Sequence, residues 1–249
     1  MISVLTPSFN SENTLVRCIE SVLKQGHSSF EHIIIDGGST DSSMDIIKSY
    51  KHIKWVSESD EGQSDAMNKA FDLSSGDIIV YLNADDEFLP GIFDKVLKTF
   101  DSYGSDNDLL VVTNLYISNS YGNIIETKPS AKLSDITNPY KLRYPYNPLS
   151  YFYSRNIQSS VGKFPLKLHL AMDYWFLLRA YRISKIFHLN EVSGIFHNYS
   201  NKTSENANSE LEVLFCLLSF HLKFGWFRNL MKGNIILILF LIVKKKIKI

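Results

Sequence analysis

Asn83-Ala84-Asp85-Asp86 puts two carboxylates and a side-chain amide within four residues. The apolar run Ile78–Leu82 precedes it. The cluster therefore falls at the carboxyl end of an expected strand, where open α/β sheets bind ligands. Hard oxygen donors suit Mg2+ or Mn2+. A cation there can bridge diphosphate oxygens and neutralise charge on a departing nucleotide. The same residues also make an Asx-rich turn into a helix, and by themselves they do not choose between the two. Asp36 ends a second apolar run, Ile33-Ile34-Ile35, and Gly37-Gly38-Ser39-Thr40-Asp41 follows. Ser39, Thr40 or Asp41 can cap the next helix, and the glycines allow close backbone approach. A plain strand-to-helix turn does not explain Asp36, whose carboxylate can accept from a base N–H or a ribose hydroxyl. Thr6-Pro7-Ser8-Phe9-Asn10 follows the first strand. It is not a Gly-x-Gly-x-x-Gly turn, which argues against a dinucleotide-binding Rossmann domain, and it is not a Gly-rich loop ending in Lys-Ser/Thr, which excludes a P-loop. Asp173 opens an apolar-rich segment. From the residues alone it is an acid favoured at a helix N-terminus by the dipole.

These groups need elements to hold them. Strands are expected at Ile2–Leu5, His32–Ile35, Ile53–Val56 and Ile78–Leu82. Between them, helical spacing covers Asn13–Lys24, Ser42–Tyr50 and Ser64–Leu73, with Gly76 as a left-handed cap and Pro90 starting a fourth helix. Strand–helix alternation implies a mainly parallel sheet with helices on both faces. Further strands are expected at Leu109–Thr113, Leu115–Ser118, Ile124–Thr127 and within 186–197, with a hairpin turn at Tyr121-Gly122-Asn123. Met172–Tyr181 reads as a helix, 129–148 as proline-rich loop and Ser200–Ser209 as a polar loop.

Taken in order, Ile2–Asn10, Ile33–Asp41, Glu58–Ala70 and Gly76–Asp86 resemble the family 2 inverting glycosyltransferases of GT-A fold, notably those of bacterial surface polysaccharides (O-antigen, capsule and colanic-acid type). The resemblance is close over 1–100, weaker over 140–200 and absent after about 205. It implies an α/β GT-A domain over 1–210, with a nucleotide-sugar half at 1–104 and an acceptor half at 105–210. It implies that Thr6 and Pro7 contact the nucleoside, Asp36 contacts the base, and Asp65 and Asn68 approach the donor. Asn83 and Ala84 join the donor site, and Asp85 binds Mn2+ or Mg2+. Asn83 stands where an Asp is usual, which lowers the local negative charge. Ala171–Arg179 resembles the acceptor-side motif, so that Asp173 matches the catalytic base. One base suffices for inverting transfer, because the metal stabilises the leaving diphosphate; glycoside hydrolases need a carboxylate pair. Asn147-Pro148 replaces a frequent His-Pro, and Phe196-His197-Asn198-Tyr199 lies where relatives have a donor-phosphate loop. The implied partners are a nucleotide sugar, most simply a UDP-sugar, and a glycan or lipid-linked sugar acceptor. A sugar-nucleotidyltransferase would need a basic Gly-rich loop at Thr6–Asn10. A non-catalytic partner protein of the same fold would be expected to lack Asp85 or Asp173.

The chain has 249 residues, 45% of them hydrophobic, enough for one sizeable core. Net charge is zero, but it is unevenly spread: after Glu212 there are seven Lys and Arg and no acid, leaving a body of net −7. No basic stripe marks that body, so nucleic acid is a poor partner. Cys18 and Cys216 suit buried free thiols. Without an N-terminal signal-like segment, a cytoplasmic site is expected. The segment 211–249 is basic and apolar, and Ile235–Val243 is an apolar run of nine ending in three lysines. A spanning helix needs about 20 apolar residues. Attachment to the inner membrane surface is therefore expected. Two alternatives stay open: Leu211–Leu222 packs on the domain, or the same apolar surface joins two copies.

Overall fold

The protein is described by a computed structural model covering residues 1–26, 29–104, 108–119, 123–137, 145, 147–198 and 207–223. The first half follows the alternating pattern: β1 Ile2–Ser8, α1 Leu15–Leu23, β2 Phe30–Asp36, α2 Ser43–Ser49, β3 Ile53–Ser57, α3 Gln63–Leu73 and β4 Ile78–Tyr81. Then come β5 Glu87–Phe88, α4 Ile92–Tyr103, β6 Leu109–Asn119, β7 Ile124–Thr127 and α5 Leu133–Ile136. A 3-10 turn at Pro148–Ser150 leads into β8 Tyr151–Ser154, α6 Arg155–Val161, α7 Met172–Ile183, β9 Lys185–Asn198 and α8 Ala207–Lys223.

Among the described residues, nine strands form one sheet in the order β3-β2-β1-β4-β8-β6-β9-β5, with β7 paired on β6. The expected parallel sheet is found in β3-β2-β1-β4. Beyond β4 the sheet is mixed: β8 runs antiparallel to both β4 and β6, β9 runs parallel to β6, and β5 antiparallel to β9. The reason is connectivity, because the second half uses hairpin-like returns such as β6–β7 in place of repeated helical crossovers. The segments expected as separate strands before and after Asn114 are one strand, β6, whose register shifts twice against β9 near that residue. β5 and β8, with two and four residues, are too short to show a period in the sequence.

Alternate residues of the central strands enter opposite layers. Leu5, Ile33, Ile35 and Ile79 pack with α3, α7 and α8 residues such as Met67, Phe176 and Leu217. Val4, Ile78 and Val80 pack with Cys18 and Val22 of α1 and with Phe93 of α4. Strands covered on both faces must be apolar throughout, as Ile33-Ile34-Ile35 is. Both cysteines are free and buried.

Register lines up the chemistry. Ser8 of β1 pairs with Asp36 of β2, and Asp36 with Ser57 of β3. β4 ends level with Leu5, so Asn83–Asp86 emerges at the same edge. Two local expectations change. Gly76 does not cap α3 with a left-handed residue; a Cβ there would meet Ser3 Oγ at 2.6 Å and the Met1 carbonyl at 2.7 Å. Its amide instead donates to Ser3 Oγ and to Glu31, whose buried carboxylate also takes Lys54. Burial would raise Glu31, yet these donors hold it down at about 2. Pro90 precedes rather than opens α4, because left-handed Gly91 (φ 79°) turns the chain first.

The apolar helix that continues past residue 210 lies on the domain. Cys216, Leu217 and Phe220 of α8 are buried in the same core as Phe176 and Leu177 of α7. Residues 224–249, including Ile235–Val243 and its three following lysines, lie outside the described residues, as do 121–122 of the expected hairpin turn and 200–206 of the expected loop.

Candidate functional site

A cleft of about 980 Å3 opens at the carboxyl edge of the parallel strands. One wall comes from the β1–α1 loop, with Pro7, Ser8, Phe9 and Asn10. Asn10 takes a left-handed φ of 47°. Two hydrogen bonds hold it there: its backbone N–H donates to Ser39 Oγ, and its side-chain oxygen accepts from the Thr40 N–H at 2.9 Å. That lock leaves Phe9 62% exposed at the cleft, a flat apolar face on which a ring can stack. Ser8 Oγ is buried here and has no hydrogen-bond partner among the described residues.

Asp36 sits directly behind this wall and is fully buried. Its Oδ2 accepts from the Gly38 N–H, the Ser39 N–H and Ser57 Oγ, and its Oδ1 accepts from Ser39 Oγ. The carboxylate thus holds its own turn in shape and is not part of the cleft surface. The space above Gly37 is taken by the chain itself. A Cβ on Gly37 would meet Asp60 Oδ2 at 2.7 Å, and Gly38 (φ 83°) faces the Ser59 backbone. Asp60 and Gly37 do line the cleft. Asp60 was legible only as an acid inside the Glu58–Ala70 stretch.

Thr6, one step below Pro7, is buried and paired with His32 Nε2 at 3.0 Å. Burial, with the nearby His52, pushes His32 down to about 3, so the imidazole is neutral. The α3 residues have other tasks than lining the cleft. Asp65 pairs with Lys69 at 3.0 Å, and Asn68 clamps Phe164 through both its amide N and its amide O, at 2.9 and 2.8 Å. Gln63 and Ala66 of the same helix line the cleft instead.

The two carboxylates after β4 divide. Asp86 is fully buried. Its Oδ2 accepts from Asn83 Nδ2 at 3.2 Å and from Asn147 Nδ2 at 2.7 Å, and its Oδ1 accepts from the His197 N–H at 3.0 Å. Asp85 lines the cleft together with Asn83 and Ala84, and its backbone carbonyl is gripped by Arg17 at 2.7 Å. Asn83 is braced at its other end by Gln63 Nε2 at 2.9 Å. Its amide has a reason to be neutral, since an Asp there would face the Asp86 carboxylate. Asn147 likewise serves Asp86 while capping the Pro148–Ser150 turn. The His197 ring turns away to Glu87, at 2.8 Å, and leaves Phe196 on the cleft.

Across the cleft, Asp173 lies in the first turn of α7. Burial raises its carboxyl to about 6, against a hydrogen bond from Tyr151 Oη at 3.1 Å that lowers it. A carboxylate with that affinity for protons suits a general base near neutral pH. The backbone before it is held by Glu212 of α8, whose Oε2 accepts from the N–H groups of Leu170 and Ala171 at 2.9 and 3.0 Å.

Among the described residues no three His, Cys, Asp or Glu side chains converge on one point as a metal cage. A lone Asp85 still fits Mg2+ or Mn2+, which keep waters and bind through one or two carboxylates plus substrate phosphates.

Solved structures with this fold include the 1–349 region of S. aureus TarS in complex with UDP-GlcNAc. It superposes with a TM-score of 0.72 at 19% identity over 89% of this chain and 66% of that one. Among relatives, the PGL/p-HBAD biosynthesis glycosyltransferase of Mycobacterium bovis is 24% identical over 81% of each chain. An uncharacterised glycosyltransferase of Nostoc is 35% identical, but the match covers 41% of this chain and only 33% of that protein. The putative teichuronic acid biosynthesis glycosyltransferase TuaG of Bacillus subtilis is 33% identical over 39% of this chain and 41% of its own. The pattern described as Glycosyl transferase family 2 matches residues 3–160, from β1 through the Asn83–Asp86 cluster to α6. With more than half of its length inside that pattern, the chain belongs to glycosyltransferase family 2.

Proposed function

We propose that the protein transfers a sugar from a UDP-sugar to an acceptor hydroxyl, with a divalent metal at Asp85 and inversion at the anomeric carbon. The observation that carries this reading is the placement of Asp85 and the proton-avid Asp173 on one cleft. Asp173 takes the proton of the acceptor hydroxyl as that oxygen attacks the sugar carbon from the face opposite the leaving nucleotide. The metal, when bound, neutralises charge on the departing diphosphate. The cleft itself supports that need: its charged lining among the described residues is Asp60, Asp85 and Asp173. A cation between them would relieve the repulsion of a diphosphate by these three carboxylates. Phe9 offers the base a stacking face and half-buried Asp60 offers a carboxylate acceptor on the cleft, while Asp36 acts behind them by holding the Gly37–Ser39 turn.

UDP is favoured because solved TarS structures carry UDP and UDP-GlcNAc. Assembly of a bacterial surface polysaccharide, such as lipopolysaccharide O-antigen or capsule, is favoured by the relatives described for teichuronic acid and PGL/p-HBAD synthesis. A lipid-linked acceptor would place the enzyme on the inner membrane surface, with residues 224–249 as the attachment. The test measures UDP-sugar hydrolysis and transfer with Mn2+, with EDTA, and in Asp85→Ala. Activity should vanish in EDTA and fall in Asp85→Ala by roughly 10²-fold or more, the scale of a lost electrostatic stabiliser. Full turnover in EDTA would overturn the metal-dependent reading.

A further inference from the structure

We infer that Tyr151 is a positioning residue for the transfer, holding the Asp173 carboxylate from within the core and setting how readily it accepts a proton. The inference rests on Asp173 being the base. Tyr151 belongs to β8 and is fully buried, opposite Val112 of β6. Its Oη donates to Asp173 Oδ1 at 3.1 Å. The ring cannot swing away. It stacks on Tyr153 at 6.2 Å and 23°, and on Phe176 at 6.5 Å and 22°. Phe176 lies three residues beyond Asp173 on α7, hence on the same helical face. The helix that presents the carboxylate therefore also fixes the ring that donates to it.

The groups that bear on Asp173 come from four elements. Tyr81 of β4 and Tyr151 and Tyr153 of β8 all feel its charge. Burial, reinforced by charge including that of Asp173, pushes all three phenols well above their ordinary value, so they stay neutral donors. His169, in the loop before α7, lines the same cleft, and Glu212 of α8 takes the Leu170 and Ala171 amides. Of these, the Tyr151 hydroxyl alone makes a described hydrogen bond to the Asp173 side chain. A donor to the ionised form stabilises that form. Without it the carboxylate gives up its proton only at higher pH.

The test needs no substrate. In protein carrying 13C-labelled aspartate, the Asp173 carboxyl carbon is identified by its absence from Asp173→Asn, and its shift is followed against pH. In Tyr151→Phe the midpoint should rise by about one pH unit, equivalent to roughly tenfold in the protonation equilibrium. The acidic limb of the transfer rate should move with it, so that the loss is largest at low pH and recovers as pH rises. 3-Fluorotyrosine at position 151, a stronger donor of nearly the same shape, should move the midpoint down, and it decides the matter if Tyr151→Phe does not fold. An unmoved midpoint in a folded variant overturns this inference alone. Sugar transfer by Asp173→Asn would overturn the reading of Asp173 as base, and this inference with it.

Discussion

At the scale of single residues, the site sets function against stability. Asp173 pays for its basicity with burial: a carboxyl raised from 3.8 to about 6 is more easily ionised in the unfolded chain than in the fold. The sign follows directly. Well below pH 3.8 both states are protonated and the group is neutral in its effect; between the two values the unfolded chain releases the proton first and stability falls; well above pH 6 the penalty is complete. Asp173→Asn keeps an acceptor for Tyr151 and removes the penalty. Its melting temperature should exceed that of the parent above pH 6, by an amount equivalent to at most roughly 3 kcal/mol, and the gap should close as pH falls to 4. The same variant should lose transfer by roughly 10²–10⁴-fold. Scanning calorimetry across pH, paired with transfer assays, checks both halves.

Asn83 gives a second residue-scale prediction. Restoring the acid usual in the family should not improve metal binding here. The Asn83 amide N–H now donates to buried Asp86 at 3.2 Å, so Asn83→Asp sets two carboxylates against each other and leaves Asp86 short of a donor. Losing a donor to a buried charged acceptor costs about 1–3 kcal/mol. Mn2+ titration and thermal melting should show a destabilised protein with unimproved affinity; tighter Mn2+ binding at unchanged stability would contradict this account.

At the scale of elements, the decisive joint is between α7 and α8. α7 carries Asp173 but has no side-chain cap of its own, and Ala171 stands at its N-cap. Glu212 supplies from α8 what Ala171 cannot, accepting from two free amides just before the helix. This joint lies wholly beyond residue 160, where the family pattern ends. Glu212→Ala should loosen the His169–Asp173 wall and leave the β1–β4 edge alone. Its effect should therefore appear as a lower rate and a higher acceptor KM with UDP affinity within about twofold of the parent, since the described hydrogen bonds of Glu212 go to Leu170 and Ala171 on the acceptor side. Equal loss of UDP affinity would show that α8 supports the whole cleft.

At the scale of the whole molecule, charge and surface divide the chain into an acidic domain and a basic end. Of the seven Lys and Arg after Glu212, six follow Lys223, beyond the last described helix. α8 buries Cys216, Leu217 and Phe220 in the domain, so the membrane attachment is proposed for the basic segment that follows it. Among the described residues no helix is long and apolar enough to cross a membrane. Flotation with anionic vesicles should carry the full chain at low salt and release it as salt rises, because each Lys or Arg near an anionic surface gains about 1 kcal/mol that salt screens. A chain ending at Asn229 should stay behind. Equal behaviour of the two at low salt would remove the membrane role.

The sequence by itself determined what depends on neighbours along the chain. Alternating runs gave β1 to β4 and the helices between them, and strand ends gave the edge where Asp36 and Asp85 would stand. Tertiary structure decided what depends on distant partners. Asp85 and Asp86 are adjacent and chemically identical in sequence. One lines the cleft and the other is buried only because Asn147 and His197, 61 and 111 residues further on, close over Asp86. Asp36 ends an apolar run in the sequence; only the fold brings Ser57 from the next strand to donate to its carboxylate. Gly76 reads as a helix cap until β1 is laid against it. β8 is four aromatic-rich residues with no periodicity to read, and it becomes a strand because β4 and β6 offer free edges on both sides. Hydrophobic period is a local property and survives in one dimension. Which polar group is satisfied, and by whom, is settled only when the sheet brings remote segments within hydrogen-bond range, because a buried carboxylate persists only where such donors meet it.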